Sequence, residues 1–372
     1  MILDSREYLD PDCEGDQSCG LNQLLIDGAG GDIEILPGEY LIADTGVIHN
    51  RTALHMRCAT IKAHQDLPPN KPLIQNSTVS GAANTYYDTD IQIHGGKFDG
   101  GMLPDRANSL LGFLKCKDLL LDRVEMCNST YMGLAIGGSL RPVVTRCEVH
   151  HTGKPNVTSE GGAAIWLGTT GDGSRCVRAD IVDNYIHETQ WSGIYASGRI
   201  INVHGNQIWD TRESAFFGVV DGLSYLHNHT RSTSRKNISA SGLELGGGSA
   251  IIADSTFEYI GNCAVSLTDA KNVDVHDLFC TEIGTERSYF PQASVIEINS
   301  QHPTYSQCNG NNIHDIRLQN STALFAVLAV VGPGQPVSDL RYGPFNIAGT
   351  SFTSGSQIYF QAGLKGSNVV GY

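Results

Sequence analysis

The chain has 372 residues, 42 of them glycine, with 17% charged and 8% aromatic side chains and a formal charge of −14. That composition excludes a disordered or fibrous chain, and no apolar run approaches the roughly 18 residues needed to span a bilayer. The acidic balance argues against nucleic acid, which selects a basic footprint, and makes a polyanionic partner depend on a local basic patch.

From the N-terminus, Met1-Ile2-Leu3-Asp4 lacks a basic region followed by an apolar core, so no secretory signal is read there. The expectation is an extracellular or virion-associated protein. Cys13 and Cys19 lie close in a polar loop and are a candidate pair, while the other thiols are expected to be free. No CxxC spacing and no compact Asp-rich loop occurs, so no metal site is expected from motifs. Leu21 to Asp27 reads as a short amphipathic helix plugging one end of the fold, stopped by Gly28-Ala-Gly-Gly31. The expected division is 1–45 as N-terminal cap and leading strand, 46–345 as the repetitive body, and 346–372 as a C-terminal cap or tail.

A phrase then recurs along the chain. Ile181-Val-Asp-Asn-Tyr-Ile186 returns as Val203-His-Gly-Asn-Gln-Ile208, and the same frame starts at 93, 121, 144, 225, 252, 275 and 313. Successive starts are 28, 23, 37, 22, 22, 27, 23 and 38 residues apart. A floor near 22 with occasional insertions is the mark of a solenoid coil of fixed circumference. A second short strand follows in each coil, as in Ala164-Ile-Trp-Leu167 and Gly193-Ile-Tyr-Ala196. Alternation points one set of side chains inward and the other out. The fold class is therefore all-β, a right-handed parallel β-helix of about ten coils with a short N-terminal helical cap. The apolar stretch Ala323 to Val331 reads as buried strand.

These repeats resemble those of the pectin-lyase-like right-handed β-helix superfamily. Gly30-Gly-Asp-Ile-Glu-Ile-Leu-Pro-Gly-Glu-Tyr-Leu-Ile42 is similar to the opening segment of its pectate-lyase-type and phage-tailspike-like members. The resemblance covers about residues 20 to 345 and implies a carbohydrate ligand, since the superfamily holds lyases, hydrolases, epimerases and binders. It admits Ca2+ as a cofactor and a homotrimer as the assembly, with a polysaccharide or oligosaccharide as partner.

Insertions after the first strand, at about 100–109, 153–162, 231–240 and 284–293, mark the working edge. One outward column reads Lys97, Glu125, Glu148, Tyr185, Gln207, His229. The column before it includes Arg123, Arg146 and Asp183, and the one after it Asp99, Cys127, His150, His187, Trp209, Arg231 and Glu258. Arg123, Arg146, Glu148, His150, Tyr185 and His187 thus converge, extended by His229 and Arg231. Ordinary surface ion pairs, Glu125 with Arg146 or Glu148 with Arg123, are the plainer account of the same residues. In the second strand Trp166, Tyr195 and Phe217 form an aromatic strip fit to stack on sugar rings, continued by Glu244 and, two coils on, Glu297.

Three functions follow. The first is a lyase or C-5 epimerase on a uronate-containing glycan, in which Arg123 and Arg146 neutralise the carboxylate, Tyr185 and His187 transfer the proton, and His150 supports them. The second is a glycoside hydrolase of tailspike type using paired carboxylates, Glu125 with Glu148 or Asp99 with Glu258. The third is a non-catalytic glycan-binding adhesin or spike. The Asp-Pro-His motif of alginate epimerases and the Asn-Thr-Asp, Asp-Asp and Gly-His-Gly set of polygalacturonases are both missing from the sequence.

Overall fold

The recurring phrase folds as a corner. In the computed structural model, Cys176–Val182 forms one strand and Tyr185–Thr189 the next. Asp183 between them turns the chain at φ 57°. Gly95, Arg123 and Arg146 take the same left-handed conformation at earlier corners, and Gly205, His227, Asp254 and Asp277 at later ones. Only Gly adopts this region without strain, with Asn and Asp next. The column of Gly and Asp ahead of each strand therefore records a turn. At three of these corners the following position is a buried Asn, Asn184, Asn206 or Asn228, that donates to a backbone carbonyl the corner leaves unpaired. Asn184 accepts from the Cys147 N–H at 2.9 Å and donates to the Val144 carbonyl at 3.0 Å.

The structure describes residues 2–80, 88–103, 109–154, 162–233, 240–286, 292–299, 308–321, 324–331, 337, 339–360 and 370–371. The four insertions expected to wall the working edge fall largely outside the described residues. The chain divides into two units, Met1–Trp191 and Ser192–Tyr372. Each has the right-handed parallel β-helix fold.

In the first unit one ladder of parallel strands runs from Ile2–Asp4 to Cys176–Val182. A second runs from Gly46–Ile48 to Ile165–Gly168. The third comprises Gly38–Ile42, Ala59–Ala63, Lys97–Asp99, Glu125–Ser129, Glu148–Thr152 and Tyr185–Thr189. The second unit repeats the plan. Its third ladder comprises Gln207–Thr211, His229–Arg231, Thr256–Ile260, Phe279–Ile283, Ile316–Gln319 and Phe345–Ala348. Strands Ile358–Phe360 and Val370–Gly371 add rungs to its other two ladders.

Inward residues of all three ladders meet in the core. Leu121, Val144 and Ile181 come from the first, Ile136 and Leu167 from the second, and Met126, Val149 and Ile186 from the third, all fully buried. Each such side chain contributes about 1.5–3 kcal/mol, and stacking repeats make that contribution continuous along the ladder. Helix α1, Ser18–Asp27, buries Leu21, Leu24 and Leu25. Leu21 and Leu25 pack over Gly46, where an added Cβ would approach both within 3.2 Å. The helix thus covers an apolar surface of the first unit, and the Gly28 N–H closes it on the Leu24 carbonyl at 2.9 Å. All ten cysteines are free, so the candidate pair Cys13–Cys19 does not form. Among the described residues no helix is long and apolar enough to cross a membrane.

Candidate functional site

Strand alternation in the third ladder of the first unit sends Phe98, Met126, Val149 and Ile186 inward and leaves two outward rows. Lys97, Glu125, Glu148 and Tyr185 are register partners in one row, and Asp99, Cys127, His150 and His187 in the other. Adjacent strands lie about 4.8 Å apart, so neighbours in a row must touch.

The imidazoles of His150 and His187 stack with centroids 4.9 Å apart and planes 3° from parallel. Tyr185 packs on the same His187 ring at 4.3 Å. Both His187 nitrogens meet carboxylates, Nε2 at 3.1 Å from Glu148 and Nδ1 at 3.0 Å from Glu188. His150 Nε2 lies 3.3 Å from Glu125 Oε1, and its Nδ1 lies 2.6 Å from His151 Nδ1. His151 in turn reaches Glu188 at 3.4 Å. Both His151 and Glu188 occupy left-handed backbone positions, which turn them back toward the ladder. Hydrogen bonds on both nitrogens fix the plane of His187 beside a phenol, a geometry suited to proton transfer.

The electrostatics of this face are those of paired charge. Burial pushes the Glu125 carboxyl up, but hydrogen bonds from Lys97 and His150 outweigh it and hold the group below its usual range. Lys97, 2.7 Å from Glu125, is raised to about 12 by that bond. Burial pushes His150 down, opposed by its bond to Glu125, and lifts the Cys127 thiol to about 11. A carboxylate oxygen of Glu125, the sulfur of Cys127 and a ring nitrogen of His150 all lie within 4.8 Å of one another.

Beside this face an open groove of about 650 Å3 is lined by Thr60, Lys97, Arg123, Glu125, Arg146 and Glu148, among others. The expected pairs Glu125–Arg146 and Glu148–Arg123 are replaced by others. Arg146 is bound through Nε to the buried Asp122 at 2.8 Å, and Arg123 lies 3.4 Å from the same carboxylate. Their corner backbones turn both side chains toward the strand that carries Asp122. Glu125 and Glu148 go instead to Lys97, His150 and His187. The two arginines therefore stand at the groove rim and the tyrosine–histidine pair beyond Glu148, rather than in one patch.

In the second unit His229 Nε2 lies 3.2 Å from Glu258, off the hydrogen-bond direction, and the nitrogen is buried with no hydrogen-bond partner. Arg231 lies 3.9 Å from Glu258 and 5.3 Å over the Tyr259 ring. Glu258 is thereby committed to cations, as Asp99 is to the Asn128 amide at 2.9 Å.

A row of carboxyls raised by burial lies elsewhere in the second unit. Phe217, Glu244, Ser266 and Glu297 are successive register partners, as their spacing predicts. Glu244 accepts from Ser214 at 2.8 Å and from the Ser241 N–H at 2.7 Å. Burial raises both Glu244 and Glu297. Glu213, at the corner before strand Phe216–Leu226, is lifted to about 7 by burial and then by the charge of Glu244. Sequence reading misses Glu213. Its signal is weak but present: the equivalent corner residues are Tyr131, Trp191 and Asn262, so it stands out as an acid.

The aromatic strip divides between the units. Phe217 is 38% exposed, with its ring 5.6 Å from Tyr195. In the first unit Trp166 is half-buried, and its indole lies so close over Gly168 that a Cβ there would come within 1.7 Å of it.

No protein-family model and no curated protein sequence matches the chain. Solved structures do. The A-module of the mannuronan C-5 epimerase AlgE4 from Azotobacter vinelandii superposes with TM-score 0.75 at 12% identity, covering 99% of this chain and 100% of that one. The surface adhesin PfbA of Streptococcus pneumoniae gives 0.55 at 12% identity, covering 100% and 92%. The catalytic unit of a GH87 α-1,3-glucanase from Streptomyces thermodiastaticus gives 0.53 at 14% identity, covering 94% and 68%. An epimerase, an adhesin and a hydrolase share one backbone, so the likeness fixes architecture and leaves chemistry to the side chains. The chain has the right-handed parallel β-helix fold of the pectin-lyase-like proteins.

Proposed function

We propose that the chain is a polysaccharide-processing enzyme of the extracellular space or a virion, acting on a uronate-containing glycan by proton transfer, as a lyase or C-5 epimerase. The observation that carries this reading is the stacked Tyr185–His187 pair held by Glu148, a carboxylate that also lines the groove with Arg123 and Arg146. Removal of the proton alpha to a uronate carboxylate builds charge on that carboxylate. Guanidinium groups oriented by Asp122 offset that charge. His187 or Tyr185 takes the proton, and the other returns one to the leaving oxygen or to the opposite face of the ring. His150, stacked on His187, positions it. Lys97 neutralises Glu125 and lines the groove. His229, Arg231, Trp166, Tyr195, Phe217 and Glu244 are assigned to glycan contact outside the reacting centre. The AlgE4 likeness supports the class of chemistry only through the shared backbone.

A second reading is favoured by Glu213 and Glu244. A carboxyl raised to about 7 is protonated often enough at neutral pH to serve as a general acid, as a glycosidase requires. This moves the hydrolase hypothesis from Glu125–Glu148 to the second unit.

One assay separates the readings. A panel of acidic and neutral polysaccharides is incubated with the chain, and reducing ends are read together with ultraviolet absorbance. New ends with unsaturated-uronate absorbance support the lyase. Ends without that absorbance overturn it in favour of the hydrolase. Neither signal leaves epimerisation, read by NMR of the recovered polymer, and failure there favours a binder.

A further inference from the structure

We infer that Glu125, Cys127 and His150 form a binding site for one divalent, borderline-soft metal ion, zinc being the best match, and that the Lys97 ammonium competes for it. The site shares His150 and Lys97 with the proton-transfer reading but is argued from its own donor geometry.

Its geometry follows from the ladder. Glu125 and Cys127 are two apart on one strand, so both project from the same face. His150 is the register partner of Cys127 on the next coil. One carboxylate, one thiol and one imidazole therefore converge from two rungs, which no local spacing motif records. His150 Nε2 and Glu125 Oε1 are 3.3 Å apart. Zinc bonds of ~2.0–2.1 Å to nitrogen and oxygen give a tetrahedral edge of about 3.3–3.5 Å. The Cys127 sulfur completes a triangle no wider than 4.8 Å, which rotation about its single side-chain torsion can tighten.

A cationic group already marks the place. Lys97 Nζ sits 2.7 Å from Glu125 Oε1, the oxygen that also faces His150. The Lys97 side chain is only 34% exposed, so the ammonium is held against the cluster. The remaining His150 nitrogen meets His151 and its ring is stacked on His187. Outer partners of this kind orient a metal-bound imidazole. Sulfur and imidazole in the donor set disfavour calcium and magnesium, which take oxygen ligands. Three protein ligands leave a fourth position, on the side of the groove that Lys97 and Glu125 line.

The test is cobalt and zinc titration of the untagged full chain. Expected is one ion per chain with a thiolate-to-cobalt charge-transfer band that zinc bleaches. Cys127→Ser should abolish the band, and Cys127→Ser and His150→Gln should each weaken zinc at least about a hundredfold. Lys97→Met should tighten it, because a competing charge is gone. Circular dichroism of each variant confirms that it folds. Absence of binding, or binding indifferent to Cys127, overturns the site, and unchanged affinity in Lys97→Met overturns the competition. The readout is spectroscopic, so failure here leaves the glycan reading intact, and an inactive enzyme that binds cobalt leaves this inference intact.

Discussion

The histidine face of the first unit and the carboxyl row of the second lie on different ladders of the repeated plan and are built by opposite electrostatic means. On the first, Lys97, Glu125, Glu148, His150 and His187 compensate one another through contacts of 2.7–3.3 Å, so charge is tolerated in a partly buried place. In the second, Glu213, Glu244 and Glu297 have hydroxyl, amide or thiol partners, and burial raises all three above the usual carboxylate range. Identical backbone spacing in the outward rows of a parallel β-helix yields an oriented ionic network or a set of carboxyls raised by burial, according to whether opposite charges occupy successive rungs.

The largest effect expected is catalytic. If the ionic network is the working one, His187→Ala and Tyr185→Phe each lower turnover of an acidic glycan by about 10²–10⁴-fold, while Glu213→Gln leaves it unchanged. The reverse pattern overturns that assignment and makes the raised carboxyls of the second unit the active site. Initial rates on whichever polysaccharide the panel selects decide between them.

Much of this contrast is legible in the sequence. The two rows through Glu125 and Cys127 follow from period-two alternation and the coil length, and they match the observed register. So does the succession Phe217, Glu244, Ser266, Glu297. The pairing within those rows is not legible. Arg123 and Arg146 occupy the column that Gly, Asp and one His fill elsewhere, and only the left-handed φ of 57° and 55° explains why their side chains turn to Asp122 rather than to Glu148 and Glu125. Glu213 escapes because its environment is made by Glu244, a residue 31 positions later, and by burial that no local pattern encodes. Cys127 already stands beside His150 in the outward column, but its approach to Glu125 within 4.8 Å is set by side-chain placement that the column does not encode.

A smaller effect sharpens the comparison through pH. Glu213 is raised from 4.5 to about 7 in the folded chain, so the native state binds its proton more tightly than the unfolded state. Its contribution to stability is complete below about pH 4.5 and is lost as pH rises through about 7. His150 is lowered from 6.5, so its contribution is complete above about pH 6.5 and is lost as pH falls through its folded value. The two faces thus lose stability in opposite directions. Glu213→Gln should stabilise the chain at pH 8 by on the order of 1–2 kcal/mol, allowing for solvent screening of a partly exposed group, and have little effect at pH 4.5. Denaturant melts at the two pH values measure it. Equal effects at both would show that the group is not held protonated.

The smallest effect concerns sugar contact, where the units again differ. Phe217 exposes its ring, whereas Trp166 lies against the backbone of Gly168 and offers only its outer face. An aromatic face stacking on a sugar contributes about 0.5–1.5 kcal/mol, so Phe217→Ala or Trp166→Ala should weaken oligosaccharide binding about two- to twelvefold. Gly168→Ala distinguishes the two platforms, because the new methyl must displace the indole without removing it. If Trp166 is a sugar platform, Gly168→Ala lowers affinity as Trp166→Ala does, measured by calorimetry. If the indole only seals the backbone, Trp166→Ala and Gly168→Ala shift melting and leave affinity unchanged. Glycan contact would then rest on Phe217 and Tyr195, placing recognition in the unit of the raised carboxyls and weighing toward the hydrolase.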